Sequence, residues 1–281
     1  MAQAKIRTAT LAGLSPAKLA EWELEFSPLA QEIATTLPAS RPVDVIGELA
    51  RPWSLALAVG VTGADPSQAQ ALAALAAKVS ATTADPDDAG LKLSAAGAGE
   101  ELDRALQNGA QPMAGPAFVA LSQTIPYLLA NAWWVLLNHP VELGRLRANR
   151  DLLPRALEEL LRVAGLVRIL HRQAIANVKL GDLRIECGQR VHLMVEVANF
   201  DPAQFPEPHR LDLSRRSFGH FALGAGQHSC AAAALIRMAT GVATRVFVDN
   251  FTPTELAGPV EWHGGSGFRW PAPVFAQRRP A

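Results

Sequence analysis

Two cysteines, Cys187 and Cys230, are all that 281 residues carry, which excludes a disulfide framework and fits a reducing cytoplasm. Net charge is missing as well. Lysine plus arginine and aspartate plus glutamate number 26 each, so no overall field draws the chain to nucleic acid or to an anionic membrane. The opening MAQAKIRTATLAGL lacks the long apolar core of a secretory signal. No internal repeat or low-complexity linker divides the chain. One uncharged run, residues 117–137, is long enough to span a bilayer. Ser122, Gln123, Thr124, Pro126 and Asn131 interrupt it and no basic cluster flanks it, so a helix buried inside the protein is the expected reading.

What remains reads as mostly helix with a minor sheet. Residues 15–36 have helical periodicity, with Ser15 as cap and Pro16 at the first helical position. Residues 43–60 suggest a helical run broken near Pro52. Residues 61–110, rich in Ala, Gly and Asp, suggest two short helices with a mobile connection. Two amphipathic helices follow the uncharged run. Residues 168–198 alternate like strands around turns at Gly181-Asp182 and Gly188-Gln189. After a Pro-rich stretch, a helix is expected from about Cys230 to Val248, then a tail of short strands.

The chemistry concentrates in LGAGQHSC, residues 223–230. A thiol in the first turn of a helix meets amide donors and the positive end of the helix dipole, which favour a thiolate. Gly224 and Gly226 let the loop fold tightly toward the sulfur, Ala231 and Ala232 leave room for something flat, and His228 can donate to an anionic group. Three plainer readings stand beside an iron-thiolate site. Cysteine is often a small buried hydrophobe. A dinucleotide fingerprint fails because Ser229 stands where its last glycine belongs. A zinc site needs more ligands than His228 and Cys230. Cys187 reads as structural, and His139, His192, His209, His220 and His263 show no ligand spacing.

The loop resembles the heme-binding signature of the cytochrome P450 family, Phe-Gly-x-Gly-x-His/Arg-x-Cys, with Leu223 in place of the Phe. Four further segments match in order. Glu159-Leu160-Leu161-Arg162 resembles the family's Glu-x-x-Arg pair, and Arg210 falls on the arginine that completes its triad. Arg172, in HRQA, falls on an arginine for a heme propionate. Ala198-Asn199-Phe200-Asp201-Pro202 is close to a structural motif. Ala120-Leu121-Ser122-Gln123-Thr124 aligns with the oxygen-side helix, where the family usually has Ala-Gly-x-Asp/Glu-Thr. Thr124 is kept, Gln123 replaces the acid, and Leu121 replaces the glycine. Pro126 should disturb the helix one turn upstream, around Ser122 and Gln123.

The resemblance implies a single heme domain over 1–281: a shortened helical part (1–110), the long central helix and those after it (111–165), and the sheet, cysteine loop and C-terminal strands (166–281). The implied fold is a truncated P450, mainly α with a minor sheet, lacking the first helices and part of the main sheet. Cys230 would ligate the iron of heme b. Arg7, Arg172 and His228 would meet its propionates, with Ala120, Leu223, Gly224 and Ala232 around it and Gln3 where bacterial members often have His. Thr124 and Gln123 would manage water and protons. The implied activity is a cytoplasmic heme-thiolate monooxygenase acting on a small to medium apolar molecule. A glutamine does not titrate near neutral pH. Peroxide use, an isomerase or dehydratase reaction, or non-catalytic heme binding therefore stand as alternatives. A ferredoxin-type donor is the implied redox partner, with Arg145, Arg147 and Arg150 as a docking patch or simply a solvated helix face. A partner chain or a homodimer would cover the region the family fills and this chain lacks.

Overall fold

A computed structural model describes residues 2–106, 114–254 and 260–279. The side chains of residues 2–6 and of Ala9 lie outside that description, and with them the expectation for Gln3. Helix α1 (Ala2–Gly13) leads into α2 (Pro16–Thr36). Ser15 caps α2 by accepting from the Lys18 amide, and Pro16 occupies the first helical position, where its missing N–H is no loss. Trp22, Phe26, Ala30 and Ala34 recur at helical spacing and form its buried stripe.

Residues 42–62 are not a helix broken at Pro52. A short strand β1 (Pro42–Asp44) comes first, then a π-helical turn (Ile46–Ala50) that runs into α3 (Arg51–Thr62). Pro52 sits in the first turn of α3 and breaks nothing. The next two helices are longer than expected. α4 (Ala69–Ala84) and α5 (Ala89–Leu106) pack along each other, their alanines allowing close approach, with residues 85–88 between them.

The uncharged run forms α6 (Ala114–Val119), a π-helical turn (Ala120–Thr124) and α7 (Ile125–Leu137). Pro126 has no amide to return to the turn before it, and the helix widens there, as its position in the sequence predicts. α7 is buried almost all round. The Trp133 indole donates to Thr244 and stacks on Phe247 at 4.6 Å, and neighbouring helices cover the rest. Among the described residues no helix is long and apolar enough to cross a membrane.

α8 (Pro140–Ala148) and α9 (Leu153–Val163) follow, then β2 (Ile169–Gln173), β3 (Val178–Leu180), β4 (Leu183–Ile185), β5 (Arg190–Met194) and a single turn α10 (Val195–Ala198). β2 pairs antiparallel with β5, and β3 with β4. Gly181 and Gly188, at φ +59 and +88, take the left-handed conformation that the two tight turns require. Cys187 stands exposed in the second of these turns rather than inside a strand, its amide donating to Asn177. The last long helix, α11 (Ala233–Asn250), begins three residues later than expected and packs on α2 and α7. β6 (Phe251–Thr252), β7 (Glu261–Gly264), β8 (Arg269–Ala272) and β9 (Phe275–Arg278) end the chain. β9 joins β1 to β6 in a three-stranded antiparallel sheet with Val43 opposite Ala276, and β7 pairs with β8. Helices dominate, and the small sheets sit at their margins.

Candidate active site

Residues 221–230 form a closed hairpin before α11. The Gly224 amide donates to the Phe221 carbonyl at 2.8 Å and the Cys230 amide to the Leu223 carbonyl at 2.7 Å. Gly224 and Gly226 adopt φ +71 and +67, which explains both glycines. Cys230 therefore lies on the loop, not in the first turn of the helix, and its sulfur faces the Ala232 amide. Burial pushes the thiol above its ordinary value; the Ala232 amide and the charges of Arg237 and Arg7 pull the other way without prevailing. The helix end alone thus does not hold a thiolate. A buried thiolate here calls for a cation bonded to it.

Arg7, on α1, donates to the Ser229 carbonyl at 2.6 Å and to the Ser229 hydroxyl at 2.9 Å, fastening α1 to the cysteine loop. Beside the loop a cleft brings together Thr124 of the π-helical turn, Leu128 of α7, Leu170 and Arg172 of β2, and Leu223, Gly224, His228 and Cys230. Its volume is about 230 Å³. This is somewhat below the roughly 300–1,000 Å³ typical of small-molecule and cofactor sites. Ala120 and Ala232 are not among its lining residues. Gln123 is also turned away. It is buried, and its amide donates to the Ala73 carbonyl of α4 at 3.2 Å, so it ties the central helix to its neighbour instead of facing the cleft. Leu121 is buried in the core.

Beneath the cysteine loop lies a fully buried ion pair. Arg162 grips Glu159 through two bonds of 2.8 and 2.9 Å and donates to the carbonyls of Asn199 and Pro208. Ser217 and Arg215 complete the carboxylate, Arg215 at 3.1 Å. Burial by itself would raise the Glu159 carboxyl, but the bonds from Arg162 and Ser217 hold it below the ordinary range. The third member is therefore Arg215, not Arg210. Arg210 lies at the surface, and among the described residues it pairs with exposed Glu207. Next to this pair, Glu158 accepts from Arg237 of α11 and bonds His220, which fastens α9 to α11 and to the loop; the sequence reading did not single out that group.

The donor set decides what the site fits. Among the described residues no group of three or more His, Cys, Asp and Glu is placed to hold a metal ion. One thiol cannot hold a bare metal, so a metal at Cys230 must bring its remaining ligands with it. A metal inside a flat, largely apolar macrocycle satisfies this, with Arg172 and His228 at the rim for its acidic groups. Comparison with known proteins agrees. A model of the family described as Cytochrome P450 matches residues 145–260. A Mycobacterium tuberculosis protein designated cytochrome P450 140 is 39% identical over 147 residues, 52% of this chain and 34% of its own. The cytochrome P450 monooxygenase PikC of Streptomyces venezuelae is 36% identical over 155 residues, 54% of this chain and 37% of its own. Residues 145–260 thus match the cytochrome P450 family, and the chain is similar to its members over about half its length.

The P450 fold extends through nearly all of it. The crystal structure of P450BioI in complex with hexadec-9Z-enoic acid ligated acyl carrier protein superposes with a TM-score of 0.86 at 21% identity, covering 98% of this chain and 78% of that one. CalO2 gives 0.85 at 22%, covering 99% and 78%. The chain spans about a third of the length of the curated relatives it matches. Members of the P450 family bind heme, and the cleft at Cys230 has the donor chemistry for it.

Proposed function

We propose that this chain is a heme-thiolate oxidoreductase of the P450 monooxygenase kind, holding heme b through Cys230 and working in the cytoplasm on a small to medium apolar molecule. One observation carries the reading: Cys230 and Thr124 line the same mostly apolar cleft. Bound heme supplies oxygen activation, which electron donation from the thiolate favours. Cys230 holds the iron. Arg172 and His228, at the rim, pair with propionates through charge-assisted bonds. Arg7 keeps the loop in place through Ser229. The Thr124 hydroxyl would orient water in the cleft, while Leu128, Val167 and Leu170 would exclude bulk water and seat the substrate. For a ferredoxin-type donor, the expected patch is already committed. Arg145 pairs with Glu142, Arg147 binds the carbonyls of Val248 and Phe251, and Arg150 binds Leu146 and Asp249. Arg155 and Arg216, beside exposed Phe218 in a separate cleft, are the better docking residues.

The test is spectroscopic. Protein loaded with heme, reduced and exposed to carbon monoxide should show the red-shifted thiolate-type Soret band, and Cys230→Ser should lose it. Heme uptake and bands unchanged in Cys230→Ser sink the proposal.

A second reading rests on Gln123. No carboxylate lines the cleft among the described residues, and Gln123 is spent on Ala73. Proton delivery from a carboxylate beside Thr124 is thus missing, which favours peroxide-driven turnover or an isomerisation or dehydration over the use of dioxygen. Gln123→Glu should cost about 1–3 kcal/mol of stability by setting a carboxylate against a carbonyl. It should leave peroxide-driven turnover ahead of donor-driven turnover. Efficient donor- and oxygen-driven product formation by the wild type removes this reading.

A further inference from the structure

Away from the cleft, three segments bring a serine, a histidine and an aspartate together. Leu170 and Arg172 of β2 line the cleft at Cys230, so His171 between them lies on the strand's opposite face. There its Nε2 meets the Ser266 hydroxyl at 3.2 Å, and its Nδ1 stands 4.0 Å from one carboxylate oxygen of Asp87. The other oxygen of Asp87 accepts from Arg190 of β5 at 3.1 Å, which holds the carboxylate beside the ring. The ring of His192, opposite His171 in the β2–β5 pair, packs edge-on against it at 4.7 Å.

Ser266 lies in the connection between β7 and β8, flanked by Gly265 and Gly267. Neither glycine has room for a side chain. A Cβ on Gly265 would lie 2.8 Å from the Asp85 Cβ, and one on Gly267 would run into the Thr83 carbonyl. The amides of Gly267 and Phe268 both donate to the Ala84 carbonyl, and that of Gly265 to the Phe268 carbonyl. The serine loop is thus pressed onto the connection between α4 and α5, the same connection that supplies Asp87. The Ser266 amide takes no partner among the described residues. It is left beside its own hydroxyl as a donor for an oxygen that gains negative charge. Asp87 is exposed, and Ser266 and His171 are partly exposed, so a small solute reaches all three. A hydroxyl bonded to an imidazole whose other nitrogen faces a carboxylate is the arrangement that activates a serine as a nucleophile.

We propose that Ser266, His171 and Asp87 form a second site, separate from the cleft at Cys230, that hydrolyses carboxylic esters of small acyl groups. His171 Nε2 takes the proton of the Ser266 hydroxyl as Oγ bonds to the ester carbonyl carbon. The carbonyl oxygen takes up the electron pair beside the Ser266 amide. The pair returns, the ester C–O bond breaks, and the proton on His171 passes to the departing alkoxide, which leaves as the alcohol. His171 then takes a proton from water as the water oxygen attacks the acyl-serine, and gives it to Ser266 Oγ as the carboxylic acid departs. No metal, oxidant or reductant enters. Asp87 is a positioning residue: its charge favours the tautomer with the proton on Nδ1 and leaves Nε2 to accept. Residues 83–85 close one side of the serine loop, which restricts the acyl group to a small one. The proposal does not depend on what Cys230 binds.

The test uses the full chain as purified, with whatever heme it carries. A fluorophosphonate probe should label Ser266, located by peptide mass spectrometry, and p-nitrophenyl acetate should be hydrolysed with turnover. Ser266→Ala removes one hydroxyl and should lose both. His171→Gln keeps a group that can bond the hydroxyl but cannot act as a base, and turnover should fall about a hundredfold or more. Asp87→Asn should lower kcat and leave KM unchanged. Labelling of the wild type is decisive whether or not a variant melts early. A native protein that the probe labels elsewhere, or not at all, overturns the proposal. So does turnover that survives Ser266→Ala or His171→Gln, which would make the three residues a tether between β2 and its neighbours. An unchanged kcat in Asp87→Asn removes that residue's part in the site.

Discussion

The side of the cleft that presents Cys230 and the side that presents Thr124 belong to one P450 fold but differ in what their polar residues do. On the cysteine side every buried charge is matched. Glu159 and Arg162 share two bonds, Arg162 reaches two carbonyls, and Ser217 and Arg215 take the remaining carboxylate capacity. On the threonine side the polar residues serve the helices: Ser122 bonds the Phe118 carbonyl and Gln123 the Ala73 carbonyl. Under the proposed function the cysteine side would hold the heme, and on the opposite helix Thr124 is the polar side chain left to line the cleft.

The comparison breaks most visibly if the cysteine side is less tightly built than its bonds suggest. Arg162→Ala leaves Glu159 charged, fully buried and short of its main partner. Such losses cost about 3–5 kcal/mol, so the variant should melt far below the wild type or fail to fold. Thermal melts of the two proteins decide it. A loss under about 1 kcal/mol would mean that water reaches the pair, and that the two sides are not as different as they look.

A finer distinction separates Arg215 from Arg210. Arg215 is mostly buried and bonds Glu159 as well as the carbonyls of Pro206, Glu207 and Arg210. Arg215→Ala should therefore cost about 1.5–3 kcal/mol. Arg210→Ala removes one surface contact to Glu207 and should stay within about 0.5 kcal/mol. Denaturant midpoints of both variants, measured together, test the reassignment, and equal losses would reverse it.

Arg210 also shows where the sequence stops informing. The glycines of the cysteine loop and the Pro126 widening were legible because each follows from local chemistry, a turn that needs positive φ and a missing amide, whereas the buried Glu159–Arg162 pair followed only from the family resemblance. Arg215 was not legible, because residues 199–218 fold without periodicity. Which of Arg210, Arg215 and Arg216 turns inward depends on packing over α9, not on spacing. Gln123 failed to read for a related reason. Its alignment beside Thr124 placed it at the cleft, but the widened turn changes which side chains face α4, and that depends on how the turn packs. The lengths of α4 and α5 were hidden by small residues, whose apolar pattern is too weak to mark a face.

The last expected effect is a pH dependence at the contact that joins the cysteine side to α11. Glu158 is held at about 2: burial would raise it, but the bonds from His220 and Arg237, and the charge of Arg237, lower it further. A carboxyl depressed in the folded state contributes stability that is fully present above its unfolded value of 4.5 and is lost as pH falls from there toward about 2. Glu158→Gln removes that contribution without removing bulk. The stability gap between wild type and variant should be constant from about pH 5.5 upward, begin to close as pH drops past 4.5, and be nearly gone near pH 2. Urea midpoints across that range report it. A gap that stays constant down to pH 2 would show that Glu158 packs between α9 and α11 without its charge mattering, and the cysteine side would then owe its stability to Glu159 and Arg162 alone.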